Sequence, residues 1–197
     1  MNILRTATAV SALSFLVALA VPQRTASGAA SPAVRTMERK LEHIASNAQA
    51  PIPDPTPTIL TDDEVNAYVN SGAVSLPRGV QRVRLEGLPS VVTADARVDF
   101  EQITQGNRSM NPLLALFSGA HQVQLVAHAH GKGGVGYVHV DSVSIDGVEV
   151  PQIALQFFVD RYIKPKHPEI GIDSRFQMPD RIDSAAVGGH QVTLVQK

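Results

Sequence analysis

From Val80 onward the apolar residues recur at every second position, and this pattern constrains the chain more than any other. Val83 and Leu85 alternate with Arg82, Arg84 and Glu86. After a turn over 87–89, Val92, Ala94, Ala96, Val98 and Phe100 alternate with Thr93, Asp95, Arg97, Asp99 and Glu101. A period of two sends the two sets to opposite faces of a strand, so these segments read as half-buried strands of an antiparallel sheet with one wet face. Val123, Leu125, Ala127 and Ala129 extend the pattern against Gln122, Gln124, His128 and His130. A glycine-rich turn follows, then a return strand over 135–145. The chain closes with a hairpin, 181–187 and 190–196, around Gly188-Gly189, and the stretch 168–177 reads as an edge strand.

Helical periodicity frames this block. Val34, Met37, Leu41, Ile44 and Ala48 recur at steps of three and four, which predicts a helix over 34–48. Pro51, Pro53, Pro55 and Pro57 then stop it and favour an extended, stiff spacer. Thr61-Asp62-Asp63-Glu64 is a capping box, in which Thr61 accepts from the Glu64 amide and Glu64 reaches back to the cap. It predicts a short helix over 62–70 with Val65, Tyr68 and Val69 inward, ended by Gly72. Residues 113–117 read as one or two helical turns. Pro151 opens a helix over 151–163 that carries Ile153, Leu155, Phe157, Phe158, Val159, Tyr162 and Ile163. An apolar face that wide wants cover, and the expected cover is the concave face of the sheet. The fold class expected is α+β: a curved, mainly antiparallel sheet wrapped around a long apolar helix, with N-terminal helices.

The first thirty residues read as an address. Arg5 supplies a positive charge, an apolar run spans 7–21, and the small residues Ala26-Ser27-Gly28-Ala29-Ala30 follow. That order is the layout of a secretory signal peptide, with cleavage expected after Ala20, Gly28 or Ala30. The run falls short of the roughly 20 residues that a spanning helix needs. The organisation expected is a signal peptide over 1–30, a helix and Pro-rich linker over 31–59, and one α+β domain over 60–197, in the periplasm or secreted.

Composition narrows the function. Lys and Arg number 17 against 18 Asp and Glu, without the basic excess of a nucleic-acid binder. Hydrophobic residues make up 44%, too many for a disordered chain. There is no cysteine, which excludes disulfides, thiolate metal sites, a cysteine nucleophile and a lipidated N-terminal cysteine. No nucleophile elbow, zincin helix or EF-hand loop is present, and the chain is expected not to be an enzyme and to need no cofactor. Gly131-Lys132-Gly133-Gly134-Val135-Gly136 lacks Walker spacing and lies between strands, so it is a turn. Asn107-Arg108-Ser109 matches a glycosylation sequon.

Histidine has an uneven distribution, with His121, His128, His130 and His139 in one hairpin. A four-residue loop over 131–134 pairs His130 with Val135, His128 with Tyr137 and Val126 with His139. His128, His130, His139 and Asp141 then share a face. Three imidazoles and a carboxylate suit zinc, but the same residues make an ordinary solvent face, and no metal is expected.

Three strings carry a family resemblance: Leu60-Thr61-Asp62-Asp63-Glu64-Val65-Asn66-Ala67-Tyr68, Val143-Ser144-Ile145-Asp146-Gly147-Val148-Glu149-Val150-Pro151, and Phe176-Gln177-Met178-Pro179-Asp180-Arg181-Ile182. Together they resemble the exported bacterial phospholipid-binding proteins of the LmeA type, related in shape to tubular lipid-binding domains. The resemblance implies a sheet wrapped around a helix, with an acyl chain in the groove between. Ala94, Ala96, Ala127 and Ala129 make the inner face lean. In this reading Val92, Ala94, Ala96, Val98 and Ala127 face Phe157, Phe158 and Tyr162 across a groove that binds an apolar or lipid-like ligand, with transient membrane contact and no nucleic-acid partner. The alternative is a closed core that docks a protein partner through helix 34–48 and its proline spacer.

Overall fold

Ser31 accepts a hydrogen bond from the Val34 amide and so starts helix α1, Pro32–Ala48. The computed structural model of the chain describes residues 31–104, 119–165, 168 and 170–197, with the backbone alone at 103, 104, 162 and 163. The leader expected over 1–30, the turns expected over 113–117 and the Asn107 sequon lie outside the described residues. After α1 come strand β1 (Thr58–Thr61), helix α2 (Asp62–Asn70), strands β2 (Val80–Leu88) and β3 (Val91–Asp99), and a short helix α3 (Phe100–Thr104). Strands β4 (Ala120–Lys132), β5 (Val135–Ile145) and β6 (Val148–Glu149) lead into helix α4 (Gln152–Phe158), whose end winds into a π-turn, Val159–Ile163. Strands β7 (Asp173–Gln177), β8 (Ile182–Gly188) and β9 (Gln191–Gln196) complete the order. The class is α+β with one large, antiparallel sheet.

β4 is the spine of that sheet. Its first part pairs with β3, from Asp99↔Ala120 to Val91↔His128. Nine residues of β3 cannot cover thirteen of β4, and the rest of the same edge goes to β8, through His130↔Ala186, Gly131↔Ala185 and Lys132↔Ser184. Ser90, at φ 64°, stitches the fork: it donates to Val187 O and its carbonyl accepts from the Ala129 amide, both at 3.0 Å. One branch is β3–β2, and the other is β8–β9–β1. On the opposite edge β4 pairs with β5, which carries both β6 and β7.

The predicted capping box is present, with Thr61 accepting from the Glu64 amide at 3.4 Å and Glu64 accepting from the Thr61 amide at 3.0 Å. Glu64 also takes the Lys40 ammonium at 2.7 Å, which ties α2 to α1. Burial works to raise the Glu64 pKa, but the hydrogen bonds from Lys40 and Thr61 hold it below the usual carboxylate range.

α2 does more than bury Tyr68 and Val69. Asn66 donates to Leu85 O and accepts from its amide, both at 2.7 Å. One turn on, Asn70 does the same for Val83, and one turn back Asp62 accepts from the Gly87 amide at 2.9 Å. Four residues of helix rise about 6 Å and two of strand about 6.6 Å, so residues 62, 66 and 70 keep step with 87, 85 and 83. Three side chains thereby satisfy the free edge of β2.

The core forms in three contiguous clusters. Val34, Met37 and Ile44 of α1 join Leu60, Tyr68, Ile182 and Leu194. Val69 packs with Val83, Ala96, Val98 and Phe100, while Val92, Ala127, Ala129 and Val138 lie under the centre of the sheet. Gln196 is buried and fully used: it donates to Ile44 O at 2.8 Å and Asp180 O at 2.6 Å and accepts from Asn47 at 2.8 Å.

Three expectations need correction. The β4–β5 turn is not a four-residue loop but the pair Gly133-Gly134, at φ 61° and 76°, so His130 pairs with Tyr137 and His128 with His139. The other two glycines make room: a Cβ on Gly136 or Gly131 would run into Phe176 or Met178. The edge strand is only Asp173–Gln177. The third concerns the segment 151–163. Its α-helical part has seven residues and buries none of them, with Ile153 88% and Phe157 51% exposed, and Val159 is the one buried residue beyond it among the described side chains. Among the described residues no long apolar helix lies under the sheet; α1 and α2 cover it instead.

Replacing Asn66 by Ala strands the Leu85 amide and carbonyl in a half-buried place. The expected loss is about 1–3 kcal/mol of unfolding free energy in urea titration, with Asn66→Asp, which keeps the acceptor alone, falling between Ala and wild type.

Candidate functional site

Because α1 and α2 lie over the fork rather than flat on one sheet, they do not fill the space beneath them. A cavity of about 100 Å³ remains, walled by Met37 of α1, Val65 and Tyr68 of α2, Val92, Val138 and Phe176 of the sheet, and Val187 and Leu194 of the second branch. Its lining is nearly all apolar, with Asp62 and Glu86 among the few polar residues. An apolar cavity of about 150 Å³ takes in benzene, so this space suits a short stretch of hydrocarbon. Burial, and next the nearby Glu38 charge, raise the Tyr68 pKa above the ordinary phenol value, so that hydroxyl stays uncharged at neutral pH.

Of the residues expected to line a groove, only Val92 reaches this cavity. Ala96 and Val98 lie in the α2–β2–β3 cluster, Ala127 sits beside Val92, and Ala94 is half-buried on the same face, opposite Leu125. Phe157 is half in solvent and Phe158 half-buried, on a helix apart from these clusters; the side chain of Tyr162 lies outside the described residues. Met37 and Tyr68 were legible, because the apolar stripes of helices 34–48 and 62–70 already required cover and each is the other's neighbour over the sheet; Leu60, on β1, had no such signal.

The outer face of the same strands carries the histidines. The register shift by two residues preserves the face, and His128, His130, His139 and Asp141 do share it, all exposed. Val126 pairs with Ser142 and Ala127 with Val140, so Asp141 is the extra residue of a bulge, and its carboxylate takes His128 Nδ1 at 2.8 Å. His139 Nδ1 meets Asp173 of β7 at 2.6 Å. His130 stacks on Tyr137, ring centroids 5.0 Å apart, and the Arg175 guanidinium lies 5.4 Å from that ring's centroid. Among the described residues, no three His, Asp or Glu side chains already converge on a common centre.

The hydrogen bond to Asp173 raises the His139 pKa; slight desolvation opposes this, and the charges of Asp173 and Asp141 add to it. The stability this pair contributes is full below the ordinary imidazole pKa and is lost as pH climbs through the raised value. In an NMR titration His139 is expected to hold its proton to higher pH than a free imidazole. Asp173→Asn should return it toward the ordinary range.

Comparisons of the chain with protein-family models, with characterised proteins and with solved structures find no match.

Proposed function

We propose that the chain is an exported, non-catalytic module that holds an apolar or lipid-like ligand in the cavity between the α1–α2 pair and the sheet. The observation that carries this reading is the cavity itself: an apolar space of about 100 Å³ at the fork of a sheet, where an ordinary core would be closed. The three strings that resemble LmeA-type proteins favour the same ligand class. They do so with a changed partition, since the N-terminal pair α1 and α2 stands where the 151–163 helix was expected. The apolar face of α1 is spent inside the fold, on Leu60, Tyr68 and Leu194, which weakens the rival reading of that helix as a dock for another protein. Val148, Ile153 and Phe157 are the large apolar side chains left to solvent on β6 and α4, and they offer a surface for transient contact with a membrane.

Native mass spectrometry and lipid extraction of protein purified from its own host test the ligand. A co-purifying apolar molecule is expected, and it should be lost in Val65→Phe and in Ala129→Leu, two variants that fill the cavity. Melting temperatures unchanged or raised would show that the fold is kept. Protein that is ligand-free as isolated and binds no fluorescent fatty acid overturns the reading.

Export has its own test. Sequencing the mature N-terminus should find it at Val21, Ala29 or Ser31, and protein retaining Met1 in membrane fractions would contradict it.

A further inference from the structure

We propose that His128 and His139 together bind a late first-row divalent cation, Cu2+ most tightly, on the outer face of the sheet. The two residues are direct cross-strand partners on β4 and β5, both exposed, and they line one cleft of about 220 Å³ with His130, Tyr137, Asp173 and Arg175. Side chains directly opposite in an antiparallel pair start about 5 Å apart at Cβ, within the span that two imidazoles bridge through one metal ion.

The protonation pattern favours a metal over a plain solvated pair. Each imidazole gives its Nδ1 to a carboxylate, His128 to Asp141 at 2.8 Å and His139 to Asp173 at 2.6 Å. Neither Nε2 has a protein partner among the described residues. Metal-binding histidines are held in this way: the carboxylate fixes the tautomer with hydrogen on Nδ1, turns the ring, and makes Nε2 the more basic donor. Here the arrangement occurs twice, on two paired strands, with the bulge at Asp141 supplying one of the carboxylates. The carboxylates of Asp141 and Asp173 outnumber the single guanidinium of Arg175, which is engaged with the Tyr137 ring. Two imidazoles leave the remaining coordination positions to water. That favours Cu2+, which stands at the top of the affinity order for nitrogen ligands. His130 is held aside by its stack on Tyr137 and is not counted as a ligand.

The site lies on the face opposite the apolar cavity and does not depend on it. Cu2+ alone, titrated into the full mature chain in a non-coordinating buffer, is the probe, followed by calorimetry and electron paramagnetic resonance. One ion per chain is expected, with the signature of two coordinated imidazole nitrogens and weaker binding as pH falls. His128→Gln and His139→Gln should each weaken it at least tenfold. Asp173→Asn should weaken it about tenfold through the loss of orientation, with the two-nitrogen signature kept. All of these positions are exposed, and unchanged thermal melting verifies the fold. His43→Gln, on α1, should change nothing. Binding that survives the double replacement of His128 and His139, or that falls equally with His43→Gln, overturns the assignment.

Discussion

An unpaired strand edge is the hazard of any open sheet, and the rest of this molecule depends on how the edge of β2 is closed. Asp62, Asn66 and Asn70 take the hydrogen bonds that another strand would have made with Gly87, Leu85 and Val83. The match works because one helical turn and two strand residues advance by nearly the same length. Once α2 is laid along β2, its other side must bring Tyr68 over the second branch, and α1 follows through Lys40 and Glu64. The edge is also protected against pairing with other chains, because its backbone groups are already taken by side chains of α2.

A second knot holds the two branches at the point where they part. The Asp62 amide donates to His190 O, the His190 amide to Gly87 O, and the Gly87 amide to Asp62 Oδ2. At Gly87 a Cβ would sit 3.0 Å from Gly188 O, so glycine is what lets the β2–β3 and β8–β9 turns approach. The fork and the cavity are therefore one feature: branches pinned at this knot diverge away from it, and the two helices span the gap without filling it.

Much of this was legible in the sequence, element by element. The capping box, both N-terminal helices and the alternating strands follow from local rules that depend on nearest neighbours alone. The misreadings share a physical cause, which is that a residue type was assigned one role when long-range contacts give it another. Gly131 and Gly136 read as turn residues, yet they are strand positions cleared for Met178 and Phe176, side chains forty or more residues away. The wide apolar face over 151–163 read as a core element, yet Ile153 and Phe157 stay in solvent. Strand β1, a four-residue segment directly after a run of prolines, had no periodic signal at all, and its existence depends on β9. For the outer face, parity alone brought the histidines together; which carboxylate each one meets required the bulge at Asp141 and the arrival of β7.

Gln196 carries a consequence for the order of events. It fastens the end of α1 through Ile44 O and Asn47, contacts that span about 150 residues of chain. Closing so long a loop is entropically expensive, and it cannot happen before β9 has been made. Until then α1 has lost its fastening at one end, and the cluster around Met37 is short of Leu194. A chain wired from α1 to β9 stays open while it is being synthesised, and locks as a whole.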